Sequence, residues 1–411
     1  MKHRRYFGFE RNIFFTGLTS FFTDTSSKMV YSVMPLFLLS IGASKTQISL
    51  IEGIAESTAS LMKAVSGFWS DKIGKNKPFM IIGYAATALV TPLYAHVLHP
   101  VQVLIYRFLE RVGKGIRTAP RDSLIAASVQ KNETGKSFGF HKAMDNSGAI
   151  IGPLIAAIIL YAVPLGDPLS GYRIIFWIAA IPAVMGVLTI IFLVKESKRT
   201  EVPARSRISL RRLPRNFYIF LIIIAIFTLG NSTDALLIVR TSETGISQSM
   251  VPFIYMLFNM VSVVLAIPIG KLSDRVGRGK LITLGFLLYS LVYFLFGALT
   301  DIRIYIGLFI LYGVYSALTD TCQKSLVSDL IAKEMKGTSF GLYHAVLGIM
   351  LLPASIIAGY LYDHVSAGSP FYFGSLISFI AAVLMAIFLF VNRKKKNAPT
   401  IQSQMQASLL L

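Results

Sequence analysis

The stretch Gly67-Phe-Trp-Ser-Asp71-Lys72-Ile-Gly74-Lys75-Asn-Lys77 lies between two long apolar runs. It returns in the second half of the chain as Gly270-Lys-Leu-Ser-Asp274-Arg275-Val-Gly277-Arg278-Gly-Lys280, again between apolar runs. Both copies read G-x-x-S-D-[KR]-x-G-[KR]-x-K. Glycine and lysine together suggest a phosphate loop, but the G-x-x-x-x-G-K-[ST] spacing is absent and no strand-like run precedes either copy. A tight, charged turn between membrane helices, present once in each half of a duplicated chain, is the better reading.

Composition supports that reading. The 411 residues are 54% hydrophobic and only 15% charged, with a mean hydropathy of +0.63. A water-soluble chain of this length carries more surface charge. Apolar runs of about 20 residues, enough to cross a bilayer, recur from end to end. The first begins near Asn12, is longer than a signal-peptide core and lacks a small-residue cleavage site, so it is expected to be a retained helix. The single cysteine, Cys322, rules out an internal disulfide and a cysteine-based metal cluster.

A net charge of +20 would suit nucleic acid or anionic lipid, and its distribution favours lipid. Basic residues gather at Lys2, Arg4, Arg5 and Arg11, from Lys195 to Arg215, at Arg393-Lys-Lys-Lys396 and in the two repeated turns. The opposite loops, around Ala43, His99, Gly166, Glu243, Asp301 and Asp363, are short and nearly neutral. This is the positive-inside pattern, so both termini and the central loop are expected in the cytoplasm of a multi-pass protein of the cell (inner) membrane. Nucleic acid is not an expected partner.

Apolar segments fall at 12–41, 46–70, 78–98, 101–129, 136–163 and 171–194, then at 216–240, 247–272, 280–299, 303–330, 337–362 and 369–392. The expectation is an all-α membrane protein with twelve transmembrane helices in two six-helix bundles. Residues 1–194 form the first bundle, 195–215 a basic cytoplasmic linker, 216–392 the second bundle and 393–411 a cytoplasmic tail. A second echo supports the duplication: Gly135-Lys-Ser-Phe-Gly139 matches Gly337-Thr-Ser-Phe-Gly341, each before the fifth helix of its half. Parallel repeats of this kind suit a carrier that rocks two bundles around a central site.

The paired turns resemble the signature of the major facilitator superfamily between helices 2 and 3 and helices 8 and 9. Arg107-Phe-Leu-Glu-Arg-Val-Gly113-Lys-Gly115 resembles that superfamily's R-F-L-x-G-x-G-x-G segment in helix 4, with Arg111 where glycine is usual. Gly148-Ala-Ile-Ile-Gly152-Pro153 resembles the G-x-x-x-G-P motif of its exporters and antiporters. Phe22-Thr-Asp24, Arg111 to Asp122 and Gly230-Asn-Ser-Thr-Asp234 resemble a little-characterised bacterial branch, in which an acidic residue is common where this chain has Lys28. The resemblance covers essentially the whole chain. It implies a cavity lined by the first and fourth helices of each half, with gating roles for Gly67, Asp71, Lys72, Gly74, Gly270, Asp274, Arg275 and Gly277. Arg107, Arg121, Asp122, Gly148, Gly152 and Pro153 join that gating set.

Ionisable residues inside a membrane helix are costly unless paired or facing water, which makes each a functional candidate. Asp24 and Lys28 are four apart near the middle of helix 1, beside Thr23, Ser26, Ser27 and Tyr31. They read as a structural ion pair or as a switchable pair, with Asp24 taking a proton or Lys28 taking an anionic cargo. In helix 4, Arg107, Arg111, Lys114, Arg117 or Thr118, and Arg121 follow at helical spacing, with Glu110 beside them. A basic stripe on a water-filled cavity would attract carboxylate, phosphate or sulfate. Lys114 and Arg117 are its cargo candidates, with Tyr31, Asn231 and Lys324 from other helices. Glu52, Glu56 and Lys63 on helix 2 read as interhelical pairs. His141 and Asp145 are four apart on helix 5, a plausible proton site or a packed hydrogen-bonded pair. Asp234, and Asp320 with Lys324 at the Asp24–Lys28 spacing, complete the proton candidates, while Arg240 is expected to snorkel. The 29 Phe and 18 Tyr read mostly as lipid-facing surface.

No nucleophile–base set, metal motif or nucleotide loop is present, so neither catalysis nor a bound cofactor or metal is expected. The leading expectation is a secondary active transporter of a small polar, possibly anionic, organic solute, working by alternating access as a proton-coupled efflux antiporter. The alternative is a proton-coupled symporter importing an anionic nutrient or metal chelate. A transporter-like receptor is a third reading. Expected partners are the small-molecule substrate, protons and membrane lipids, with a monomer as the default.

Overall fold

In a bilayer the backbone has no water to bond, so each apolar run must satisfy its own amides and closes into a helix. The computed structural model describes residues 5–73, 75–128, 134–163, 168–196, 213–331 and 336–397. A two-stranded antiparallel hairpin, Arg5–Tyr6 with Phe9–Glu10, leads into the helices. The first half then comprises α1 (Arg11–Ser40), α2 (Lys45–Ile73), α3 (Lys77–Leu93, continued by a 3-10 turn Tyr94–His96), α4 (Pro100–Ser128), α5 (Thr134–Ala162) and α6 (Pro168–Leu193). The second comprises α7 (Arg215–Gly230), α8 (Asp234–Ser242), α9 (Met250–Val276), α10 (Arg278–Ala298), α11 (Ile302–Leu330), α12 (Lys336–His364) and α13 (Ser369–Asn397).

Nine apolar segments among the described residues are long enough to cross a membrane. The helices outside that set are α1, α2 and α4, and these carry Asp24, Lys28, Glu52, Glu56 and the arginines of helix 4. Charge, not length, takes them below the hydropathy of a lipid-facing span.

The duplication reaches the packing. In the first half α1 lies against α5 and α6, α2 against α4, and α3 against α4 and α6. In the second, α7 lies against α12 and α13, α9 against α11, and α10 against α11 and α13. These are the same pairings in the same order, once α7 and α8 count as one segment. The halves meet where α2 packs on α12 and α5 on α9, which are again counterparts.

Two expectations need correction. The seventh apolar run, expected to be continuous over 216–240, breaks at Asn231-Ser-Thr233. Thr233 is the N-cap of α8, its hydroxyl accepting from the Ala235 amide at 3.3 Å. A capping hydroxyl satisfies one of the amides a helix start leaves free, so the chain restarts there. The tyrosines, expected mostly at the lipid surface, are largely internal. Tyr84, Tyr94, Tyr172, Tyr255, Tyr289, Tyr293 and Tyr305 are fully buried. Stacked pairs such as Phe227–Phe286 and Tyr289–Tyr293, both 3.9 Å between centroids, build the interior of the second half.

Of the repeated turns, the second copy is the one described in full. Gly277 joins α9 to α10 at φ +100°, a left-handed conformation that glycine adopts without a Cβ clash. In the first copy, Gly74, the surroundings of Gly67 and the side chains of Asp71 and Lys72 lie outside the described residues, as do residues 197–212 of the expected linker and 398–411 of the expected tail.

Candidate functional site

Some of the expected charged positions meet at α1, where Asp24, Lys28, Arg121, His141 and Asp145 gather. Close packing brings α5 onto α1: a Cβ added at Gly148 would lie 2.5 Å from the Phe21 carbonyl oxygen. One added at Gly152 would lie 2.4 Å from that of Thr25. Only glycine allows this approach, which carries Asp145 of α5 to Asp24 of α1. Their carboxyl groups are within hydrogen-bonding reach of each other. A bond between two carboxyl groups needs one proton, since an ionised carboxylate can only accept. Asp145 also receives Lys142 Nζ at 3.1 Å.

Neither i,i+4 charge pair read from the sequence closes among the described residues. Lys28 turns away from Asp24 and donates to the Tyr255 hydroxyl of α9 at 3.2 Å. Its ammonium also lies over the Tyr31 and Tyr255 rings, 5.5 Å from each centroid. Lys28 thus joins the two halves at the centre, and it has no ion pair within 4 Å among the described residues. Asp320 instead accepts from Ser316 at 3.3 Å, and Lys324 stands exposed. His141 and Asp145 likewise do not bond each other; the imidazole Nε2 pairs with Ser20 Oγ at 2.8 Å.

The basic stripe of α4 divides into separate tasks. Arg107, wholly buried, pairs with both oxygens of Glu52 on α2 and with Glu110 at 2.9 Å, which also accepts from Tyr94 at 3.0 Å. Arg111 reaches Glu56 of α2 at 2.9 Å. Glu52 and Glu56 thus form interhelical pairs, as read from the sequence, with α4 as the partner; Lys63, read with them, has no ion pair among the described residues. Arg117 lies round the helix from Lys114, facing α3, where it donates to Thr87 Oγ1 at 2.7 Å and covers the Tyr84 ring at 4.3 Å. Its guanidinium is committed to packing the first half. Arg121 bonds Asp122 at 3.0 Å and Ser20 at 3.3 Å. Only Lys114 of the stripe is described without a polar side-chain partner, and it is half-buried. Gly113 and Gly115 make the stripe's backbone accessible, Gly113 against Gly83 of α3 and Gly115 against Met62 of α2.

The second half supplies aromatic hydroxyls. Tyr312 of α11 donates to Asp234 Oδ1 at 2.7 Å, in the first turn of α8. Asn231, in the break, donates to the Tyr315 hydroxyl at 3.2 Å. The broken segment therefore presents an acid, an amide and a helix start to the bundle interior. Pro153 lies within α5, one residue beyond Gly152.

At the helix ends the structure adds polar ties that were not expected. The first turn of α2 is held by Asp363 of α12, which accepts from the Lys45 amide at 3.3 Å and from the Thr46 amide and hydroxyl at 2.7 Å each. Glu243, just after α8, accepts from Tyr362 at 2.6 Å and meets Arg240 at 3.5 Å and Lys45 at 3.9 Å. This latch joins the halves. Arg240, expected to snorkel to the surface, is instead largely buried and paired. At the opposite end, Glu196 accepts from the Asn76 and Lys77 amides at the start of α3, at 3.0 and 2.9 Å. A carboxylate at a helix N-terminus meets free amides and the positive end of the dipole. In the second turn, Arg278 bonds Asp274 at 3.3 Å, Asp329 at 2.5 Å and the Ser325 carbonyl at 2.7 Å, tying α9 and α10 to α11. Arg275 and Gly270 lie on α9 beside it.

A two-bundle helical fold with a polar, charged centre defines the class as membrane transporters. The Major Facilitator Superfamily family model matches residues 16–239 and 219–411, once per half. The chain belongs to that superfamily, as a multi-pass transporter. It is 32% identical over 381 residues to an uncharacterized MFS-type transporter of Methanocaldococcus jannaschii, covering 91% of this chain and 94% of the relative. A multi-drug resistance efflux pump, PmrA, of Streptococcus pneumoniae is 24% identical over 328 residues, 76% of this chain and 80% of the pump. Among solved structures, a peptide transporter in complex with sulfate shares the fold at a TM-score of 0.78 and 12% identity, over 95% of this chain and 96% of that one.

Proposed function

We propose that the protein is a proton-coupled carrier that exports a small anionic organic solute across the cell membrane by alternating access. The observation that carries the cargo class is Lys28, a cation between two tyrosine rings at the meeting of the halves, with no described ion pair. A half-buried ammonium gains most from a ligand that brings the missing negative charge. The proton site in this reading is the Asp24–Asp145 pair, one turn along α1 from Lys28. Losing the shared proton leaves two like charges in contact, which favours a different arrangement of α1 and α5. Asp234 and Asp320 are secondary proton candidates, and Lys114, Asn231 and Lys324 secondary cargo contacts. Export is favoured by the likeness to the pneumococcal pump.

The test uses purified protein in liposomes with an imposed pH gradient and a panel of aromatic and aliphatic organic acids. Cargo-dependent proton movement opposite to cargo flux is expected. Movement in the same direction would establish the symport reading, and binding without flux for every ligand would leave a receptor.

A further inference from the structure

Helices α2 and α12 run antiparallel in close contact, and glycines fix their register. Gly359 meets Thr46 and Ser49, Gly53 meets Ser355, and Gly348 meets Ser57 and Ser60. Continuing that ladder by one turn, away from the Asp363 latch, sets Lys63 of α2 beside His344 of α12. Lys324 of α11 is within electrostatic reach of both. Lys63 and His344 are half-buried, Lys324 is exposed, and none has an ion pair among the described residues. Further basic groups face Lys63 from α4, namely Arg111 and Arg121. The acid acting on Lys63 is Glu56, which is itself paired with Arg111 at 2.9 Å. Asp320, one turn from Lys324, accepts from Ser316.

The two ends of the α2–α12 contact are therefore unlike. At one end an acid of the second half holds the helix start of the first. At the other, Lys63 of the first half and Lys324 of the second repel each other, with no ion pair for either among the described residues, and resist closer approach. We propose that Lys63, Lys324 and His344 form an anion site spanning the two halves, taking a carboxylate or phosphate group of a soluble ligand, and that its occupation draws this end of the molecule together. Each ammonium then gains a charge-assisted bond to the same anion, and the imidazole supplies or accepts a further one. The site is separate from Lys28 and rests on the chain being a transporter, not on its coupling to protons.

Two measurements test it on the full-length protein in lipid-free detergent. The first is binding of citrate and of inorganic phosphate by calorimetry. Lys63→Gln and Lys324→Gln should each weaken citrate by about tenfold, as expected for loss of a charge-assisted contact. Lys28→Gln should leave one citrate site intact. Unchanged affinity in the double Lys63→Gln/Lys324→Gln variant overturns the site, as does binding seen only in nanodiscs that contain phosphatidylglycerol. The second is the distance between spin labels at Ile73→Cys and Val276→Cys, exposed positions at this end of α2 and α9, in a Cys322→Ala background. Citrate should shorten it, and Lys63→Glu, which supplies its own carboxylate to Lys324, should shorten it without citrate. A distance indifferent to both overturns the closure.

Discussion

At the residue scale, Lys28 and Arg117 show how two cations from one expected set part company. The Lys28 ammonium bonds the Tyr255 hydroxyl and has no ion pair within 4 Å among the described residues, while Arg117 is fixed by Thr87 and Tyr84. Lys28→Gln should therefore weaken an anionic cargo by about 1.5–3 kcal/mol, the worth of a bond to a charged group, and spare a neutral analogue. Arg117→Ala should lower the melting temperature and leave that selectivity unchanged. Competition binding with an acid and its methyl ester separates the two; equal losses for both ligands would remove Lys28 from the cargo site. Asp24→Asn keeps a hydrogen bond to Asp145 but carries no exchangeable charge, so cargo exchange should persist and uphill transport should stop. Counterflow and gradient-driven uptake in the same liposomes check this. Glu52→Ala would leave the buried Arg107 with half its partners, at a cost of about 3–5 kcal/mol, read as a fall in melting temperature. The sequence made these positions visible because charge is rare in an apolar run. It did not assign their partners, since spacing sets which face of a helix a residue occupies but not which neighbouring helix answers it. Lys28 answered Tyr255 rather than Asp24, and nothing local to residues 24–28 encodes that choice.

At the scale of elements, the break between α7 and α8 had a signal that hydropathy averaging hides. Gly230-Asn-Ser-Thr-Asp234 places a helix-ending glycine and a capping threonine inside one apolar window. Thr233→Ala should cost about 1 kcal/mol through the lost cap, and more of its effect should fall on transport if the α8 start positions Asp234. Thermal unfolding and flux, measured together, distinguish the two. The glycines of α5 were legible as a motif and their purpose became clear only with α1 in place. A side chain at Gly148 meets the Phe21 carbonyl and Asp24, so the motif governs how closely the carboxyl pair can sit. The acids at helix ends were harder to read. Asp363 and Glu196 are ordinary loop-side charges in sequence, and their value comes from distant amides, at Thr46 and Lys77, that only the fold brings to them.

For the molecule as a whole, the repeat of two short motifs foretold a repeat of helix pairings, and the packing has it. That part of the architecture was accessible because duplication leaves the same punctuation twice. The asymmetry between the ends was not, because it depends on contacts between halves. Asp363→Ala removes the acceptor of three bonds at the first turn of α2. It should open that end of the protein, with faster modification of a cysteine placed at Thr46 by a membrane-impermeant reagent. An unchanged rate would show that the latch does not hold the end shut. Under the proposed alternating access the seam between the ends is the α2–α12 contact, where added atoms at Gly53, Gly348 and Gly359 would lie only 2.6–3.0 Å from the opposite helix. Mechanically this is a plain bearing. Two surfaces of small residues have few interlocking side chains to lift past one another, so friction is low and little repacking accompanies a tilt. A bearing of this kind is tolerant of motion and intolerant of grit: Gly53→Val should leave ligand binding measurable while seizing the exchange between orientations.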